Sequence, residues 1–193
     1  MGKKYELTEE TIELYGRTLY RIKALKDFGD VEVGDLGGYI ESESNLIQKG
    51  CAWVYGDAMV YGNANVCGNA WVYGNANVCG NAWVYDNANV YGDAMVYDNA
   101  NVYGNALVYG NANVCGDAEI KGKTDYIEFK NWWSSGRYFT WTRSNNMWKV
   151  GCFYGTGKEL VEKAYKDSEL SGREYERAVK YVESILADEK KHS

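Results

Sequence analysis

The sequence predicts a mainly β chain wound into a solenoid, and two observations predict it. An aliphatic residue returns at every sixth position from Val54 to Ile120 without a slip, through Val60, Val66, Val72, Val78, Val84, Val90, Val96, Val102, Val108 and Val114. Around each sits a near-constant hexad, Val-(Tyr/Cys)-(Gly/Asp)-(Asn/Asp)-Ala-x, as in Val60-Tyr61-Gly62-Asn63-Ala64-Asn65. A helix, at about 3.6 residues per turn, would scatter such valines around its axis. A strand alternates sides, so in Ala64-Asn65-Val66-Cys67 the alanine and valine point one way and Asn65 and Cys67 the other. Glycine and asparagine at the next two places accept positive φ at little cost, which makes each hexad a short strand followed by a corner. Strand and corner in endless alternation wind a solenoid.

The hexad resembles the repeat of left-handed β-helix proteins of the hexapeptide-repeat superfamily. There an aliphatic residue and a small residue four places on face the interior of a three-sided prism. The resemblance implies left-handed winding, three hexads per coil, and four regular coils from twelve hexads. At a strand spacing of about 4.8 Å these stack to roughly 19 Å. Valine and alanine suit a narrow interior, where a larger side chain overpacks at roughly 1–3 kcal/mol.

Registering the outward positions by the coil gives three faces. The first carries Tyr55, Tyr73, Tyr91 and Tyr109, flanked by Trp53, Trp71, Asn89 and Leu107. The second carries Tyr61, Cys79, Tyr97 and Cys115 beside Met59, Asn77, Met95 and Asn113. The third carries Cys67, Tyr85, Tyr103 and Lys121 beside Asn65, Trp83, Asn101 and Glu119. A soluble monomer seldom exposes so many aromatics. Trp53, Tyr55, Trp71, Tyr73, Tyr91 and Tyr109 are therefore the candidate face for a homo-oligomer, a trimer or dimer, or for another partner. The rival reading is a tyrosine ladder that only stiffens the stack.

Taken in order, residues 1–50 read as an N-terminal cap with an irregular first coil. Thr11–Ala24 alternates apolar and polar residues on both sides of Gly16, a hairpin signal, and a solenoid end needs such a cover for its strand edges. Ile40 and Leu46 already keep the six-residue step, then two extra residues precede Val54, which predicts a bulge. Residues 51–122 are the regular β-helix. Residues 123–193 read as a small α+β cap domain: strands over Tyr126–Lys130, Arg137–Arg143 and Met147–Tyr154, then two helices announced by capping boxes at Thr156-Gly157-Lys158-Glu159 and Ser171-Gly172-Arg173-Glu174. On the second helix Tyr175, Ala178, Val179, Val182, Ile185 and Leu186 form one apolar stripe, predicted to pack on the sheet.

Charge and cysteine usage narrow the function classes. The net charge is −6. Residues 51–120 hold six acids and no Lys or Arg, so a basic track for duplex nucleic acid is not expected there. Six acids over three faces are equally too sparse to imitate a duplex, with its one charge per about 1.7 Å. The five cysteines have no metal-like spacing, and Cys79 and Cys115, two coils apart, are about 10 Å from each other, too far for a disulfide. Free thiols in a reducing compartment are expected, with no metal and no cofactor. Neither a signal-peptide-like segment nor a membrane-length apolar run stands out, so the expectation is a cytoplasmic protein without a membrane partner.

The whole chain resembles small phage and prophage proteins of the hexapeptide-repeat or polymer-forming kind. The shared stretches are Leu19-Tyr20-Arg21-Ile22-Lys23-Ala24-Leu25, Gly34-Asp35-Leu36-Gly37-Gly38-Tyr39-Ile40-Glu41, the repeats, and Gly151-Cys152-Phe153-Tyr154-Gly155-Thr156. The resemblance implies a phage or prophage origin and a capped β-helix, but carries no settled activity. The wider superfamily is rich in acyltransferases that use a histidine base. Here the single histidine, His192, stands next to the C-terminal residue, outside the repeats, and no catalytic set presents itself.

Ligand binding is expected instead from the C-terminal cap. Trp132, Trp133, Trp141, Trp148, Arg137, Arg143 and Lys149 crowd into a short stretch, and aromatic faces interleaved with cations can stack a base and grip its phosphate. Gly155 and Thr156, opening a helix, offer backbone N–H groups to a phosphate or carboxylate. The competing account is that three short strands need aromatics to cover a prism end. The functional expectation is a non-catalytic binding protein, an inhibitor or sponge acting against a host defence system, that captures a host protein or a nucleotide-like small molecule. An acyltransferase and a self-assembling structural protein are the alternatives.

Overall fold

The computed structural model describes residues 2–192. Its centre is a parallel β-solenoid of twelve two-residue strands, from β4 (Trp53–Val54) to β15 (Glu119–Ile120), laid in three sheets. Paired strands are one coil apart in the chain: Val54 lies beside Val72, Val72 beside Val90, Val90 beside Val108. The alanine and aliphatic residue of every hexad from Ala52 to Ile120 face inward and are at most 1 % exposed. Each outward-strand N–H donates to the carbonyl of the following coil, as in Trp71 N to Ala88 O (2.9 Å) and Asn89 N to Ala106 O (2.9 Å).

The corners repeat as faithfully as the strands. Gly68 has φ +68°, and a Cβ there would stand 2.9 Å from the backbone N of Asp86 in the next coil. Two corners hold aspartate instead, Asp86 (φ 58°) and Asp98 (φ 59°). Their carboxylates accept from the N–H groups of Gly104 (3.1 Å) and Gly116 (3.2 Å), which offsets part of the left-handed strain. Corner amides form ladders: Asn63 donates to Asn81, Asn81 to Asn99 and Asn99 to Asp117, at 3.0, 2.9 and 3.0 Å.

The N-terminal segment both covers its end of the stack and joins one face. β1 (Tyr5–Leu14) and β2 (Arg17–Ala24) form the expected hairpin, turning at Tyr15 (φ 49°) and Gly16 (φ 76°), the paired positive φ of a twist-compatible turn. β2 pairs antiparallel with β3 (Leu36–Ile40), and β3 pairs parallel with Met59–Val60, so that face becomes a seven-stranded sheet. The predicted bulge is present. Ile40 pairs with Val60 and Leu46 bridges Val66, two residues further along than the regular register.

Beyond β15 a four-stranded antiparallel sheet covers the other end: β16 (Tyr126–Lys130), β17 (Tyr138–Thr142), β18 (Met147–Val150) and β19 (Phe153–Gly155). The single strand expected over Met147–Tyr154 is two, because Gly151 takes φ +55° and turns the chain back. α1 (Gly157–Asp167) and α2 (Glu169–His192) follow. Thr156 caps α1 as expected. The second capping box is corrected: Ser171 lies inside α2, because Ser168 is already extended and its Oγ accepts the Ser171 N–H at 3.1 Å. Tyr175, Val179 and Val182 of the predicted stripe are buried with Phe139, Trp141, Trp148, Leu160 and Ala164 in a second core. Gly172 lets α2 cross α1, since a Cβ there would sit 2.2 Å from the Tyr165 ring.

Candidate binding surfaces

Five of the predicted ligand contacts are structural. Trp141 is fully buried in the second core, with the Arg143 guanidinium 5.5 Å from its ring centroid, and offers no face to a guest. Arg143 is committed to the fold: its guanidinium pairs with Glu189 on α2 (2.5 Å) and donates to Thr124 O (3.1 Å). The turn at Gly155 and Thr156 holds no anion site, because Glu159 fills it. The Glu159 carboxylate accepts from Thr156 N (2.8 Å) and Oγ1 (2.8 Å), which lowers its pKa, and a Cβ on Gly155 would meet Phe153 at 2.7 Å. Trp133, half-buried, packs edge-on against Tyr175 (4.9 Å) and belongs to the same core.

The other three predicted contacts remain at the surface. Asn131 is buried and organises the loop before β17: its Nδ2 donates to Tyr175 Oη (2.9 Å), and its Oδ1 accepts from Ser134 N (2.9 Å) and Oγ (3.1 Å). That loop turns Trp133 inward and leaves Trp132 69 % exposed. Arg137, just after it, and Lys149 of β18 line a cleft of about 460 Å³ where the cap meets the second solenoid face. The solenoid supplies Asp93, Met95, Asn111 and Asn113 to the opposite wall. Lys149 Nζ lies 5.8 Å from the Tyr97 ring centroid. Among the described residues neither Arg137 nor Lys149 forms an ion pair, so two cations face one carboxylate, Asp93, across the cleft. Sequence reasoning missed that wall. The signal was that Asp93 and Asn111, like Met95 and Asn113, share columns one coil apart, but nothing local said where the cap would land.

The aromatic face is corrected at one end. Trp53 is fully buried, because Phe28 (5.3 Å) and Tyr5 (6.0 Å) of the N-terminal segment close over it. Tyr55, Trp71, Tyr73, Tyr91 and Tyr109 do line one face, and Tyr73, Tyr91 and Tyr109 stack at 4.8 and 5.3 Å with planes 2° and 15° apart. On the second face Tyr61 lies beside Cys79 and Tyr97 beside Cys115. Burial holds the thiols of Cys67, Cys79 and Cys115 above their ordinary pKa, which makes them poor nucleophiles. All five cysteines are free. Among the described residues no three His, Cys, Asp or Glu side chains gather to hold a metal, and no helix is long and apolar enough to cross a membrane. The His192 side chain lies outside the described residues.

The fold defines a β-solenoid repeat protein with a cap at each end. Among known families, the model described as the YdcK beta solenoid repeat matches residues 52–68 and 100–116. Both segments open on an alanine at the same place in the hexad, Ala52 and Ala100, although they lie on different faces, so the likeness is to the repeat unit itself. Comparison with curated proteins finds no match.

Proposed function

We propose that this chain is a non-catalytic binding protein whose left-handed, three-hexads-per-coil β-helix is a rigid scaffold, and that it holds an anionic, nucleotide-like ligand in the cleft between the C-terminal cap and the second solenoid face. The carrying observation is the pair of cations, Arg137 and Lys149, that form no ion pair among the described residues and are set against amides and one carboxylate of the acidic solenoid. A guanidinium binds a phosphate through two parallel N–H donors, an ammonium adds a point charge, and Asn111 and Asn113 supply neutral groups for a base or ribose. The resemblance to phage and prophage proteins favours the host cytoplasm as the setting and a sponge or inhibitor of a host defence system as the role.

Calorimetric titration with pyrophosphate, AMP and ADP tests the reading. The expected result is saturable binding that Arg137→Ala with Lys149→Ala weakens about tenfold or more, and that Asp93→Asn strengthens by relieving repulsion. Absence of binding by all three probes, or a double variant that binds as well as the native chain, sinks it. The exposure of Trp132 favours a second reading, a host protein docked on the loop; capture from host lysate that survives Trp132→Ala counts against that one.

A further inference from the structure

The first solenoid face contains an interrupted stack. Rings that stack face to face along a solenoid show solvent only their edges, so a ladder of tyrosines offers a ring face only where it ends. At the C-terminal end of this ladder Tyr109 is met edge-on by Tyr126, at 6.4 Å and 78°. At the other end the ladder stops at Tyr73, although the repeat supplies one more tyrosine, Tyr55, a coil earlier. Tyr55 leans away: it lies 53° to Trp71 at 5.3 Å and 85° to Trp53 at 6.4 Å. That end is covered by the N-terminal segment, whose Phe28 packs edge-on against Trp53 (5.3 Å), and Tyr55 packs against the same core. Among the described residues Tyr73 has a ring partner on its Tyr91 side alone.

What is left between Tyr55 and Tyr73 is a groove of about 660 Å³, walled by Tyr55, Trp71 and Tyr73 and floored at the corner by Gly56 and Gly74. A volume of that order suits a bicyclic or tricyclic guest. One charged side chain reaches it, Asp30. Asp30 is fixed there by a tight turn in which Phe28 and Val31 exchange N–H to carbonyl bonds, both 3.0 Å, with Gly29 at φ +53°. The surrounding repeats hold no Lys or Arg to neutralise it.

We propose that this groove is a binding site for a planar aromatic ligand bearing a positive charge or an N–H donor, which stacks on Tyr73 as the missing ring of the ladder and sets its charged end against Asp30. Trp71 forms the side wall, and Gly56 and Gly74 leave the edge of the guest room at the corner. The site is independent of the cationic cleft: it lies at the other end of the solenoid, on another face, and selects the opposite charge.

Fluorescence titration of the full chain with thioflavin T, a planar aromatic cation, and with the anionic dye anilinonaphthalene sulfonate tests it. Saturable thioflavin T binding is expected, weakened about fivefold by Asp30→Asn and about tenfold or more by Tyr73→Leu. Tyr103→Leu, which shortens the ladder on the third face, and the Arg137→Ala, Lys149→Ala pair should leave it unchanged. Thermal unfolding of each variant guards against loss of fold; should Tyr73→Leu unfold, Asp30→Asn, in an exposed turn, decides alone. No saturable binding, loss of the same size from Tyr103→Leu, indifference to Asp30→Asn, or equally tight binding of the anionic dye each overturns the proposal.

Discussion

The two ends of the solenoid are covered by opposite chemistry. A parallel edge alternates N–H and carbonyl groups, so each end of the stack presents some of both, and the contacts that reach them from the two caps differ in kind. At the N-terminal end donors arrive: Lys4 Nζ to Ala52 O (2.9 Å), Asn45 Nδ2 to Gly62 O (3.0 Å) and Ala64 O (2.8 Å), and Tyr39 N to Ala58 O (2.9 Å). At the C-terminal end acceptors arrive: Tyr126 Oη to Tyr109 N (3.2 Å), Glu128 Oε2 to Asn111 N (3.1 Å), Thr140 Oγ1 to Asn113 N (2.9 Å) and Ser144 Oγ to Glu119 N (2.7 Å). The side chains that reach the strand edges thus act as donors at one end and as acceptors at the other.

The largest way to break the comparison is to destroy the column both ends rest on. Val84→Asp puts an unpaired carboxylate in the prism and is expected to cost about 4 kcal/mol or more, lowering the melting temperature of the whole chain in one transition. A soluble variant with an unchanged melt would overturn the inward assignment.

Next comes the buried cation. Burial lowers the Lys4 pKa from 10.5 to about 8. The unfolded chain therefore binds more protons than the native one between those values, so the cost of burying the Lys4 ammonium is relieved, and the fold gains stability, as pH rises through that window. Tyrosines work the other way: burial pushes Tyr126 up to about 12 and also raises Tyr5, Tyr61 and Tyr97, so their contribution is whole below the ordinary tyrosine value and is lost as pH climbs through the folded values. The Lys4 effect is isolated by difference. Denaturant midpoints of the native chain and Lys4→Met, measured from pH 7 upward, should shift in favour of the native chain as pH passes about 8 to 10.5. A pH-independent gap would refute the buried-ammonium account.

Smaller changes sharpen the contrast between the caps. Asn45→Ala strips a buried side chain from two carbonyls and from the Ser42 N–H, with an expected loss of about 2 kcal/mol. Thr140→Val keeps shape and removes one acceptor from Asn113 N, with an expected loss of about 1 kcal/mol. Hydrogen exchange separates the two: the first should speed exchange in the N-terminal coil, the second at Asn113 and its neighbours. The same exchange pattern in both variants would show that the ends are not independent.

The repeats were legible because the hexad period and the side alternation are local. They assigned the inward column from Val54 to Ile120 and the columns of outward residues one coil apart. The hairpin was legible in Gly16, and the bulge in the two residues inserted before Val54. Alternation says which side of a strand a residue occupies, not what lies over that side, so Trp53 read as exposed although Phe28 and Tyr5 cover it. The C-terminal cluster of tryptophans and cations read as one site for the same reason. Its members are near in sequence, but β17 and β18 send Trp141 and Trp148 into the core and hold Arg137 and Lys149 at the cleft, while Arg143 is taken by Glu189 of α2. Ser171 satisfied a capping pattern that Ser168 had already served. The cleft wall of Asp93 and Asn111 depended on where a cap lands on the last coil, a long-range fact that no local pattern carries.

Since the hydrogen bonds from each cap end on the terminal coils, the coils between them are near-identical units joined by similar corners. Inserting or deleting one whole coil would leave both caps seated and move them apart or together by about 4.8 Å. The repeat number is therefore an adjustable spacer: unequal recombination among near-identical hexads could reset the distance between the two caps while their hydrogen bonds to the terminal coils are kept.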